Sequence, residues 1–334
     1  MGFAARDGGG PAFDAHAAGP ASVSLFPRSL ILTSRDVTGT SYPRWLSRGI
    51  VDPSRVLRSD EATSNAVGRW HLLLRAVAVL NLALWSLAAV AVARGQGANH
   101  ALADTATRLQ LLLSAGYVVG CAFRSVLPVY DIPRIVLVDS PLSSVAVGRS
   151  VATVAELCFA AQWALILHRT ASLSGSLFGE AVSLAIVPLI VLAEGFSWHA
   201  VLTTVQRGHV IENSIWGASA ALVVASLLMI GPHRLAELYP PLIVLCLVNA
   251  GYVLFMFFFD VPMYWSRWRA DERDRRRYLP IARGAVDICR RRLVSYRWED
   301  WKSEVLWMSL YFTLGVWISV SLVYASLALG SALG

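Results

Sequence analysis

Lysine is all but missing from this chain. Lys302 is the only one among 334 residues, so nearly all of the basic charge is arginine. A retinal-type Schiff base needs a lysine inside the membrane, and Lys302 falls just before the last apolar block rather than within one. Cysteine is scarce too, with four residues and no CxxC spacing, which excludes a disulfide framework and a structural zinc site. The seven histidines contain no HxxxH or HExxH pair, so the dense histidine boxes of membrane di-iron chemistry are absent. No GxSxG elbow, P-loop or dinucleotide fingerprint occurs. Charged residues make up only 15% of the chain, against about 25% in a soluble domain.

What remains is apolar. Hydrophobic residues reach 56% and mean hydropathy is +0.54. They gather in blocks at 71–93, 109–127, 142–167, 181–205, 211–230, 238–262 and 305–329. Each is long enough to cross about 30 Å of hydrocarbon as a helix. Irregular lipid-facing backbone would leave amides unpaired there. The expected fold is all-α: a polytopic bundle of about seven transmembrane helices. The bundle domain is expected over 70–334, with a basic loop at 264–302, behind a largely disordered basic tail over 1–69.

Arginine asymmetry orients it. The tail holds eight arginines, and the 264–302 loop holds eleven plus Lys302. With seven alternating spans, these segments fall on one side with Arg134 and Arg207. The N-terminus is therefore expected in the cytosol, and a plasma or inner membrane is the expected location. Arg- and Ser-rich residues 21–58 are mildly transit-peptide-like, which keeps an organelle membrane as the alternative. Arginines interleaved with Trp265, Trp268 and Tyr278 suit anionic lipid headgroups rather than nucleic acid. Residues 281–294 read as an amphipathic interfacial helix with Ile281, Val286, Ile288 and Leu293 as apolar contacts. Gly116 and Gly120 form a GxxxG through which a second copy could pack.

Two acids stand out. Glu156 and Glu194 each lie near the middle of an apolar block, where a carboxylate costs about 2.5–3.5 kcal/mol to insert. Asn81 and Asn249 mark the centres of two further blocks, so four helices carry a polar group at similar depth. Arg149 is two helical turns from Glu156 and could pair with either carboxylate. His209, Glu212, Asn213 and Trp216 share one helix face by their spacing. His199, near Glu194, and Asp260, at the inner end of the sixth span, extend the polar layer. Together they predict a funnel from the arginine-rich side to the glutamate pair.

Carboxylates in a low dielectric bind protons more tightly, and a second acid strengthens this. Glu156, Glu194 and His199 are the candidate catalytic or proton-handling residues. Arg149, Asn81, Asn249, His209, Glu212, Asn213 and Asp260 are the candidate binding residues. A proton-coupled transporter or ion pathway is the first reading. A membrane-embedded enzyme acting on a lipid or isoprenoid by acid–base or metal chemistry is the second. A non-catalytic assembly or signalling protein is the third. Glu194, His199, His209 and Glu212 could supply nitrogen and oxygen ligands, but the scattered histidines argue against assigning a metal, and the cofactor stays unknown.

Overall fold

The computed structural model describes residues 53–95 and 101–331, with side chains over 65–94 and 105–330. The tail expected over 1–69 lies outside the described residues up to 52; from Pro53 onward the chain is helical. Seven helices are long and apolar enough to cross a membrane, at 65–94, 105–126, 145–174, 177–203, 207–230, 241–273 and 298–330. The chain is an all-α polytopic bundle.

The helices are α1 Pro53–Gly95, α2 Ala101–Val126, α3 Val145–Ser174, α4 Leu177–Thr203, α5 Arg207–Ile230 and the short α6 Pro232–Leu238. The sixth span joins α7 Pro241–Phe255 to α8 Val261–Arg273 through a π-helical turn at Met256–Asp260. The seventh joins α10 Trp298–Leu310 to α11 Val316–Ser331 through a second π turn at Tyr311–Gly315. Both spans continue into the basic 264–302 segment, which leaves 274–297 as the true connection. A hydropathy block ends where arginines begin, but arginine is a good helix former and the backbone runs on past it.

Local chemistry sets the turns. Ser144 caps α3, accepting from Val147 N at 3.4 Å. Gly175 ends that helix in the left-handed region, φ 67°, and Ser176 then caps α4. A two-residue connection is feasible because glycine meets no Cβ penalty at that φ.

Helices α1 to α5 pack in sequence, and α11 returns against α1, α2 and α3. Gly116 and Gly120 are spent within the chain. A Cβ on Gly116 would stand 2.6 Å from Cys158 Sγ, and one on Gly120 would stand 2.7 Å from Ala155 Cβ. The close approach that the GxxxG permits is thus made to α3, inside the bundle.

A buried polar layer ties α2, α3 and α11. Gln162 Nε2 donates to Gln110 O at 3.3 Å and to Ser319 O at 3.1 Å, and Ser319 Oγ donates to Gln162 Oε1 at 2.6 Å. Ser114 and Ser319 hydroxyls meet at 3.0 Å. Gln162→Leu deletes three of these buried bonds and leaves the Ser319 hydroxyl only its Ser114 contact, so it is expected to cost about 1–3 kcal/mol. A fall in the thermal midpoint of the purified protein checks this, and an unchanged midpoint refutes it.

One end of the bundle carries a small ordered layer. Strands β1 Val129–Tyr130, β2 Ile135–Val136 and β3 Leu293–Val294 form a sheet in that order, β1 antiparallel and β3 parallel to β2. Helix α9, Ile281–Arg290, packs on α3 and α4 beside it. The helix expected over 281–294 is present but stops at Arg290, and Leu293 belongs to β3. Ile288 is buried against Val129, Val136, Val145 and Val201, whereas Ile281, Val286 and Leu293 remain exposed.

Candidate functional site

Helix α3 places Arg149, Thr153 and Glu156 on one face, because steps of four and seven return to nearly the same angle. The Arg149 Nη2 group sits between three carboxylates. It donates to Glu194 Oε2 at 2.7 Å, Glu156 Oε2 at 3.1 Å and Glu212 Oε1 at 3.3 Å. Glu194 comes from α4 and Glu212 from α5, so one guanidinium fastens three helices. All four side chains are buried.

Surrounding groups fix the acids. Thr153 Oγ1 donates to Glu194 Oε2 at 2.6 Å and accepts from Trp198 Nε1 at 3.0 Å. Tyr311 OH, in the second π turn, donates to Glu156 Oε1 at 3.1 Å. His209 Nδ1 lies 2.7 Å from Glu212 Oε2, and its ring packs on Tyr264. Arg149 Nε and Glu194 Oε1 find no protein partner. Three carboxylates against one guanidinium leave a formal acid excess, expensive in a low dielectric unless protons or a bound cation reduce it.

A cavity of about 440 Å³ adjoins the cluster, a volume typical of small-molecule sites. Its charged end, the mouth as we take it from the helix directions, carries Asp131 from the ordered end layer, Gln206 from the α4–α5 turn, and Asp260, Arg267 and Glu304 from the sixth and seventh spans. Glu156, Glu212 and Arg149 stand midway. Beyond them the walls turn apolar, with Phe159, Trp163, Ile186, Val223 and Ile318. Tyr130, at the mouth and outside the spans, has its phenol pushed above the ordinary range by burial and then by the nearby Glu304 carboxylate; it remains a neutral hydroxyl donor at physiological pH.

One wall reaches the outside of the bundle. Val248 and Gly251 on α7, and Leu310 and Leu314 opposite, line the cavity and are also exposed. These helices touch only briefly. Phe255 and Trp307 bridge them as stacked rings, centroids 5.5 Å apart and 6° from parallel. Both flanking spans carry a π turn here, a distortion that recurs at functional sites.

The residues expected from sequence divide into three groups. Glu156, Glu212, Arg149, His209, Asn213, Asn249 and Asp260 line the cavity, and Glu194 is buried directly behind it on Arg149. Asn81 does not join them. Its Nδ2 donates to Phe312 O at 2.7 Å and its Oδ1 accepts from Trp317 Nε1 at 3.1 Å, so it satisfies a carbonyl of the π turn. His199 is exposed and does not line the cavity. Five positions beyond Glu194 is about 140° around the helix, so His199 turns outward and Trp198 occupies the inner face. Thr153, Tyr311, Asp131, Arg267 and Glu304 belong to the site or its mouth and were not anticipated. Of these only Thr153 carried a readable signal, its spacing from Arg149 and Glu156.

Oxygen atoms of Glu156, Glu194 and Glu212 lie within 4.8 Å of one another, a spacing that could hold a metal ion. Carboxylates alone favour hard cations, and the Arg149 guanidinium would have to leave the space between them. The histidine and acid set considered from sequence does not form, because His199 points away.

Fold and site define a multi-pass integral membrane protein with a buried acid cluster and an adjoining cavity. No protein-family model, curated protein or solved structure matches this chain.

Proposed function

We propose that this protein is a membrane-embedded enzyme acting on a lipid-like amphiphile by acid–base chemistry. The observation that carries this reading is one continuous cavity whose lining runs from a charged end, past Glu156 and Glu212, into apolar walls with a sideways opening. A polar head could sit among the acids while its tail lies between α3, α5, α7 and α11. Glu156 and Glu212 would exchange protons with the head. Arg149, held by Glu194, would keep them in position. Such acids work as donor and acceptor when their environments differ, and here one is bonded to a tyrosine and the other to a histidine. With the arginine-rich end toward the cytosol, the mouth would open there, and residues 274–297 would lie against anionic headgroups.

A proton-coupled transporter could use the same acids, but it also needs a route to the opposite face. On that side Ile166, Leu167, Val182, Leu227, Leu235 and Leu242 form a buried apolar cluster. This favours a one-ended pocket over a through path.

The two readings separate in reconstituted protein. Proteoliposomes made with a total membrane lipid extract are expected to consume one lipid species and form another by mass spectrometry. Glu156→Gln is expected to slow this by about 10²-fold or more, the range of general acid–base effects. An unchanged lipid profile, together with dissipation of an imposed pH gradient that Glu194→Gln abolishes, would reject the enzyme in favour of the transporter.

A further inference from the structure

The cavity's charges point to the chemistry of the head group it receives, an inference that rests on the amphiphile reading above. Asp131, Glu156, Glu212, Asp260 and Glu304 contribute five carboxylates to the lining, against three guanidinium groups. Arg149 is shared by three carboxylates. Arg267 lies over the Tyr264 ring, 5.3 Å from its centroid, within electrostatic reach of Glu304 and Asp260. Neither Arg267 nor Arg124, which lies over the Phe312 ring at 5.9 Å, forms a carboxylate salt bridge among the described residues, so the lining keeps its surplus of acids but not every cation in it is tied.

Two acids at the charged end have no cation paired to them among the described residues, and one of them has no donor at all. Asp260 is 6% exposed and faces the cavity, yet no side chain or backbone group donates a hydrogen bond to it among the described residues. Glu304 is 7% exposed and is met only by neutral hydroxyls, that of the neighbouring Ser303 at 3.2 Å and that of Tyr130, with no cation paired to it among the described residues. Buried acceptors are normally satisfied, and leaving one bare is costly. These acids sit on different spans, beside the two π turns and the Phe255–Trp307 stack. A donor placed between them would complete both.

We infer that the cavity takes an amphiphile whose head group is a hydrogen-bond donor without negative charge, a long-chain amine before all others, and not a phosphate or carboxylate. An ammonium group supplies three donors and a charge to the acids, and hydrogen bonds to ionised partners are roughly twice as strong as neutral ones. A hydroxyl head satisfies fewer acceptors and binds more weakly. An anionic head meets surplus carboxylate and can turn only to Arg124 and Arg267 in the lining.

Four probes with one common tail test this: hexadecylamine, hexadecanol, hexadecanoic acid and hexadecyl phosphate, each bromine-labelled in the tail. In lipid nanodiscs, quenching of Trp163, Trp216 and Trp307, which line the cavity, reports occupancy. Ala160→Phe, which fills the apolar wall, gives the background of probe dissolved in the bilayer; Ala220→Phe serves if that variant does not fold. The amine is expected to bind at least about tenfold more tightly than the phosphate or the acid, with the alcohol between them, a difference of one or more decades in Kd. Asp260→Asn is expected to weaken the amine by about tenfold, in line with the loss of one charge-assisted hydrogen bond. Equal or tighter binding of the phosphate, abolished by Arg124→Gln or Arg267→Gln or by neither, overturns the inference and leaves the amphiphile reading standing. No probe exceeding the filled-cavity background overturns both.

Discussion

Arg149→Met is expected to yield little or no folded protein, with a thermal midpoint far below that of the parent. The substitution keeps the length of the side chain and deletes the guanidinium shared by Glu156, Glu194 and Glu212. Removing one partner of a buried ion pair costs about 3–5 kcal/mol, because the remaining charge is left uncompensated. Here three carboxylates lose their partner together. Total stabilities run to only about 5–15 kcal/mol, so the loss removes a large part of the folded population. The cost is capped by protonation, since a buried acid takes up a proton rather than remain an isolated anion. That cap provides a second, opposite expectation. Combining Arg149→Met with Glu156→Gln, Glu194→Gln and Glu212→Gln removes the repulsion with the cation, and should restore most of the expression and the midpoint. Size-exclusion profiles and thermal melts in one detergent compare the three proteins. If Arg149→Met melts like the parent, the guanidinium does not hold α3, α4 and α5 together. If the quadruple variant is as poor as the single one, charge is not the cause of the loss.

The cluster was partly legible because helical spacing carries direction. Arg149 and Glu156, seven apart, had to share a face. His209, Glu212, Asn213 and Trp216 had to share another. Apolar blocks placed Glu194 at the right depth, but depth alone says nothing about azimuth. His199 shows this: it is near Glu194 along the helix but about 140° away around it. Asn81 shows the same limit from the other side, matched in depth yet turned toward Phe312 and Trp317. Tyr311 was hidden because a π turn adds one residue to the helical repeat and rotates everything after it. A hydropathy block carries no mark of that insertion. The end layer was hidden for another reason. Strands of two residues have no periodicity to read, and β2 pairs with β3 across more than half of the bundle's sequence.

That end layer is where a very small change is expected to act strongly. Gly284 on α9 approaches the end of α4 so closely that an added Cβ would lie 1.9 Å from Leu202 O. The obstacle is backbone, which cannot swing aside as a side-chain tip would. Gly284→Ala therefore forces α9 off its seat, withdrawing Ile288 from its buried contacts with Val136 and Val201. Gly251→Ala, where a Cβ meets open space, is the matching control. Arg134 fastens the same layer from below. It is 1% exposed and sits in the left-handed region, φ 60°. Its Nε donates to Asp287 Oδ2 at 2.9 Å, Nη1 to Asp131 O at 2.6 Å and Nη2 to Val201 O at 2.8 Å. Arg134→Met leaves a carboxylate and two carbonyls without that donor, a loss of about 3–5 kcal/mol if Asp287 stays charged. Glycine instead of methionine would ease the backbone strain at that φ but still lose the three bonds, so Arg134→Gly should be rescued only slightly. Because the layer is seated on the bundle by few groups, it is expected to open locally while the spans stay folded. Trypsin should then cut after Arg290, Arg291 or Arg292 much faster in Gly284→Ala and Arg134→Met than in the parent or Gly251→Ala. Hydrogen exchange should rise at β2 and β3 but not in α3 or α4. Unchanged cleavage in both variants would mean that α9 is held by something other than Gly284's close approach and Arg134. The consequence for the cavity is direct. Asp131 lines its mouth, and the backbone carbonyl of Asp131 is one of the two that Arg134 holds, so loosening this layer disorders the entrance before it disturbs the acids beneath.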